Sequence, residues 1–158
     1  NTMEQLIEQL KIILGTNFGL YFKAHTFHWN VEGPDFAQYH GFLGDFYDSV
    51  FDQTDSIAEH IRTCDSYVPG SFSRFSELTK IEDELKIPAA PEMVRRLLAD
   101  NDTVMASLKK AYESAETAGN IGFSNFLQDR YDAHMKHGWM LRATIKRSGA
   151  IAASAPKK

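Results

Sequence analysis

Between Thr2 and Trp29 the apolar residues Leu6, Ile7, Leu10, Ile13, Leu14, Phe18, Leu20, Tyr21 and Phe22 return every three or four positions. That spacing describes one buried stripe along an α-helix of 3.6 residues per turn, and a stripe so long needs other elements to cover it. The run NVEGPDF ends the pattern at Gly33 and Pro34, and Pro34 or Asp35 can begin the next helix. From Phe36 to Arg62 the spacing resumes through Tyr39, Phe42, Leu43, Phe46, Tyr47, Val50, Phe51, Thr54, Ile57, Ala58 and Ile61. It predicts one continuous second helix, weakened locally by Gly41 and Gly44. The two long helices pair as a hairpin.

The stretch CDSYVPGSFSRFSELTKIEDELKIPAAPE breaks the pattern with Pro69, Gly70, Pro88 and Pro91, and only SFSRFSELT suits one or two helical turns. Helix three starts near Pro91 and runs through Met93, Val94, Leu97, Leu98, Val104, Met105, Leu108 and Tyr112 to Gly119. Helix four runs from about Gly122 through Phe126, Leu127, Tyr131, Met135, Trp139 and Leu141 to Ile145, with a stop at Gly149. Strand signals are absent. Four long helices with short links inside each hairpin and one long crossover predict an all-α, ferritin-like four-helix bundle with a short helix in that crossover. The bundle is expected over 1–149 and a mobile tail over 150–158. A chain of 158 residues that is 43% hydrophobic suits this single domain.

A net charge of −4 provides no general field for nucleic acid or an anionic membrane. The single cysteine, Cys64, cannot form an internal disulfide, and NTMEQLIEQLKII lacks the basic-then-apolar layout of a secretion signal. No window approaches the roughly 18 apolar residues of a membrane span. A cytoplasmic protein without a membrane partner is expected.

Asp55 and Glu59 are four positions apart, so on a helix they share a face and can grip one cation. Such pairs are common on wet helix faces, and Asp48, Asp52, Asp55 and Glu59 read equally well as a solvated stripe. The histidines add the chemistry. His28 closes helix one and His40 opens helix two, so their imidazoles can meet across the hairpin. Imidazole plus carboxylate suits iron, manganese or zinc better than calcium. Yet fifteen helical residues from His40 to Asp55 span about 22 Å, whereas ligands lie about 2 Å from their metal. Either the helix folds back at Gly41 and Gly44, or a second copy lies antiparallel on the first. The aromatic spacing runs on across both glycines and favours a two-fold dimer, with His28 and His40 from one chain facing Asp55 and Glu59 of the other.

The segments AHTFHWNVEGPDFAQYH and DSIAEH, and more weakly HMKHGWMLRATI, resemble the Dps family, the DNA-binding proteins from starved cells. The resemblance covers most of the chain. It implies a hollow homo-dodecamer, built from two-fold dimers, that oxidises Fe(II) with hydrogen peroxide or oxygen and stores Fe(III). The family's iron positions fall on His28, His40, Asp55 and Glu59, and ferroxidase activity is expected. Many members carry an acid four positions after the second histidine; here that position is Gly44, with Asp45 one step on. A one-residue step turns a helical side chain by about 100°, so Asp45 need not substitute as a ligand to a second iron.

Around this core, Trp29 is a candidate acceptor of an oxidising equivalent or a plain hairpin seal, and His25 a candidate supporting or outer ligand. Asp45, Asp48 and Asp52 are candidate mineral-nucleating acids, and Asp129 and Asp132 candidate pore acids. His134 and His137 receive no metal role from spacing. Lysine is sparse at both ends, with Lys157 and Lys158 closing the chain, so DNA binding is expected to be weak and nucleoid association secondary. Two alternatives remain: a DNA-compacting shell with secondary metal binding, and a structural shell whose site is vestigial or zinc-filled.

Overall fold

A computed structural model describes residues 1–146, and the expected tail, with Arg147, Gly149, Lys157 and Lys158, lies outside them. Helix α1 spans Thr2–Asn30, opened by a capping box in which the Asn1 side chain accepts from the Glu4 amide and Glu4 reaches back to Asn1. Its stripe of Leu6, Leu10, Ile13, Leu14, Leu20, Ala24 and Phe27 is buried. The hairpin turn uses positive φ at Gly33 (100°) and at Asp35 (63°), which reverse the chain before α2 begins at Phe36.

The second long helix is not continuous. It comprises α2, Phe36–Phe51, and α3, Thr54–Arg62, parted by a turn at Asp52 and Gln53. Both turn residues keep right-handed helical dihedrals, so the axis is disturbed rather than reversed. The Gln53 amide bonds to Val50 O in a three-residue step, and the buried Asn17 amide of α1 donates to that same carbonyl at 3.0 Å. A side chain from the neighbouring helix thus supports the irregularity. At Gly41 and Gly44, by contrast, α2 runs on unbroken, which removes the fold-back route to a metal site.

The crossover contains α4, Phe72–Leu78, capped by Ser71. It lies close on α1 because Gly15 has no side chain: a Cβ there would sit 2.8 Å from Leu78 Cβ. Helix α5, Ala90–Thr117, has Pro91 in its first turn, and α6, Ile121–Ile145, is capped by Asn120. Helix α1 packs on α2, α3, α4 and α5, and α5 packs on α6. Every regular element among the described residues is helical, as the periodicity predicts. None of these helices is long and apolar enough to cross a membrane.

Candidate metal centre

The end of α1 and the start of α2 bring two imidazoles face to face. The rings of His28 and His40 stack with centroids 3.7 Å apart and planes 18° from parallel. Each ring is tied to the backbone of the other: His28 Nδ1 lies 2.7 Å from His40 O, and His40 Nδ1 lies 2.9 Å from His28 O. A carbonyl only accepts, so each Nδ1 carries the hydrogen and donates. Each Nε2 is then left as a lone pair, without a hydrogen-bond partner among the described residues. Fixing one nitrogen so that the other is presented to a metal is the usual support for a histidine ligand.

Gly44 is part of this arrangement. A Cβ on it would stand 3.2 Å from His28 Cε1 and 3.4 Å from His28 Nδ1, tighter than ordinary contact. The position where a second acid would be sought is instead filled by the flank of the His28 ring. Asp45 is exposed on α2.

Aromatic side chains surround the pair. His25 stacks on Tyr47 at 3.8 Å and 11°, lies 4.4 Å from the Trp29 ring, and bonds through Nδ1 to the Tyr21 hydroxyl at 2.8 Å. Burial, helped by the neighbouring His28, lowers the His25 pKa against the opposing pull of Asp48. Phe36 stacks on His40 at 4.9 Å and Tyr47 meets His28 edge-on at 5.2 Å. Phe22, Trp29, Phe36 and Phe51 nevertheless remain between 45% and 58% exposed. The hairpin therefore presents an aromatic face with two imidazole lone pairs set into it.

Asp55 and Glu59 are both exposed on α3, one turn apart. Among the described residues of one chain, no three His, Cys, Asp or Glu side chains gather as a metal group. One chain thus brings two imidazoles together, while Asp55 and Glu59 join no such group. Asp48 and Asp52 are exposed, and so are Asp129 and Asp132 on α6.

His134 and His137 lie in the bundle core. His134 Nδ1 donates to Asn101 Oδ1 at 2.8 Å, Asn101 Nδ2 donates back to His134 O at 2.9 Å, and Arg130 Nη2 donates to His134 Nε2 at 3.3 Å. Burial and nearby positive charge push His137 down to about 4 and His134 well below the usual histidine value. Sequence spacing misses this network because Asn101 comes from another helix, although the Arg130–His134 spacing of four on α6 was open to view. It also reads Tyr21 as one more apolar stripe residue, although the Tyr21–His25 spacing of four was a usable signal.

The ferritin-like domain family model matches residues 7–149. DNA protection during starvation protein 2 of Bacillus anthracis is 30% identical over 142 residues, 90% of this chain and 97% of its own length. The DNA protection during starvation protein of Helicobacter pylori is 28% identical over 87% of this chain and 96% of its own. Dps from Bacillus brevis superposes with a TM-score of 0.88 at 26% identity, covering 92% of this chain and 97% of that one. Dps from Thermosynechococcus elongatus gives 0.90 at 20% identity over 95% and 96%, a likeness of fold.

Proposed function

We propose, for a chain that belongs to the Dps family of ferritin-like proteins, that pairs of copies oxidise Fe(II) at shared sites and store the Fe(III) in a hollow twelve-chain shell. Hydrogen peroxide is the preferred oxidant, and the work suits a cytoplasmic protein that limits oxidative damage. The observation that carries this reading is the reciprocal tether of His28 and His40, which leaves two Nε2 lone pairs presented on an open aromatic face. A second copy docked there buries Phe22, Trp29, Phe36 and Phe51 and brings its Asp55 and Glu59 to the imidazoles.

His28 and His40 then bind Fe(II) through neutral nitrogen, and the two carboxylates supply charge that favours Fe(III) as it forms. Zinc suits the same donors and would compete for them. The exposed Asp45, Asp48 and Asp52 are wet acids on α2 available to receive Fe(III), and Asp129 and Asp132 are candidate entry acids. DNA is a weak partner in this reading, because a net charge of −4 per chain opposes phosphate.

Mixing two inactive variants tests both the ligands and their sharing. His28→Ala and Glu59→Ala proteins, each unable to speed Fe(II) oxidation by peroxide alone, are unfolded, mixed and refolded together. A shared site predicts regained oxidation, since each mixed dimer rebuilds one intact site. Mixtures as inactive as their parents sink the shared site, and variants as active as the unaltered chain sink the assignment itself.

A further inference from the structure

Tyr21 and His25 lie one turn apart on α1, with the phenol oxygen 2.8 Å from Nδ1. In the tautomer that carries its hydrogen on Nε2, His25 accepts the phenolic hydrogen of Tyr21 at Nδ1. From this pair the rings continue to the proposed iron ligand. His25 lies flat on Tyr47 at 3.8 Å, Tyr21 is 5.9 Å from Tyr47, and Tyr47 meets His28 at 5.2 Å. The Tyr47 hydroxyl and the Trp29 indole have no protein acceptor among the described residues. That difference matters because a phenol that loses an electron becomes a strong acid and needs a base within reach. Burial, with Tyr47 and Asp48 nearby, holds the Tyr21 pKa above the usual tyrosine value, so the phenol keeps its proton at neutral pH.

Gly44 supplies the reason for such a device. Reducing peroxide to water takes two electrons, and one Fe(II) gives one. The position from which a carboxylate would hold a second iron carries no side chain and abuts His28.

We propose that Tyr21, with His25 as its base, supplies the second electron when a single bound Fe(II) meets hydrogen peroxide. This rests on the ferroxidase reading above. The O–O bond breaks, Fe(II) yields one electron, and Tyr21 yields the other through Tyr47 and His28. The phenolic proton passes to His25 Nδ1 and then to one of the two hydroxides formed. Fe(II), the phenol and H2O2 thereby become Fe(III), a neutral tyrosyl radical, one hydroxide and one water, and no hydroxyl radical is released. A later Fe(II) returns the electron, with a proton from water, and restores the phenol.

The test is freeze-quench electron paramagnetic resonance on the assembled protein, loaded anaerobically with one Fe(II) per site and mixed with one equivalent of peroxide. Fe(III) formation and spin-trapped hydroxyl radical are read in the same samples. A tyrosyl signal is expected, narrowed by ring-deuterated tyrosine. Tyr21→Phe should lose most of it and release more trapped hydroxyl radical, and His25→Gln should do the same with the phenol still present. If Fe(III) forms faster than in buffer but no Tyr21-dependent signal accompanies it, this proposal alone is overturned. If Fe(III) forms no faster than in buffer, the ferroxidase reading falls and takes the proposal with it.

Discussion

The molecule holds two pairs of histidines under opposite conditions. His28 and His40 meet at the open end of the first hairpin, and each spends one nitrogen on the other's backbone while the second has no partner among the described residues. His134 and His137 sit in the core at 1% and 5% exposure, where Asn101 and Arg130 occupy both nitrogens of His134 and Ser49 lies 3.4 Å from His137 Nε2. Among the described residues only His137 Nδ1 of this pair lacks a partner, and it is buried. Residue type is the same in both places. The capacity to take a metal is decided by which lone pairs survive folding and whether solvent and a partner can reach them.

The largest expected effect separates the pairs outright. His28→Ala or His40→Ala should reduce Fe(II) oxidation by peroxide to the buffer rate, while the unfolding midpoint in urea changes little, because the hairpin end is partly exposed. Loss of stability without loss of oxidation would reverse the roles assigned to the two pairs.

Acid should act on the core pair. In the folded chain both imidazoles stay neutral well below pH 6.5, whereas in the unfolded chain they take up protons near that value. The unfolded state therefore binds more protons as pH falls from about 6.5 toward 4, and stability is whole above this window and lost through it. For His137 alone, with its pKa held at about 4, the loss is on the order of 3 kcal/mol. Urea midpoints measured from pH 7 to pH 4 should fall steeply, and His137→Gln should flatten the slope. A slope untouched by that change would remove His137 from the account.

The contrast also marks where sequence reading reached and where it stopped. The periodic stripes place the long helices and the hairpin, and the run SFSRFSELT between Pro69 and Pro88 places the short crossover helix, because each is written in consecutive residues. The break at Asp52 and Gln53 was not legible: neither residue is Gly or Pro, apolar spacing runs across it, and the supporting amide of Asn17 reaches Val50 O from 33 positions away. Gly15 likewise looks like a weak helix residue until α4 is laid against it. At the hairpin end, the meeting of His28 and His40 across the turn was legible from position. Their mutual tether to backbone carbonyls was not, since it depends on the angle between two helices.

A smaller effect tests what holds the core pair closed. Asn101 both accepts from His134 and donates to its carbonyl, so Asn101→Ala strands the buried His134 Nδ1–H and takes a second bond from a helical carbonyl. A loss of about 2 kcal/mol in unfolding free energy is expected. Asn101→Asp should recover part of this, because a carboxylate still accepts from His134 Nδ1, and it should raise the His134 pKa toward its ordinary value. Nuclear magnetic resonance titration of the imidazole checks that direction; a His134 pKa that stays put would show that Asn101 is not its controlling neighbour.

The smallest expected change lies at Gly44, where the open pair touches its own helix. In Gly44→Ala the added methyl carbon meets His28 Cε1 at 3.2 Å, so the ring must yield by a few tenths of an ångström and the stack with His40 loosens. The His28 Nδ1 bond to His40 O is short, at 2.7 Å, and stretching it leaves the free nitrogen less well aimed. Fe(II) affinity should fall by a few-fold, roughly 1 kcal/mol, with almost no change in global stability. Gly44→Asp carries the same crowding and adds a carboxylate beside the imidazoles. Calorimetric Fe(II) titration without oxygen should then count two irons per site where the unaltered chain takes one. If the unaltered chain already binds two, the bare position at Gly44 does not limit iron, and the demand for an electron from Tyr21 loses its cause. If neither substitution moves affinity or stoichiometry, the His28 ring is not held where the tether fixes it, and the open pair differs from the closed pair only in exposure.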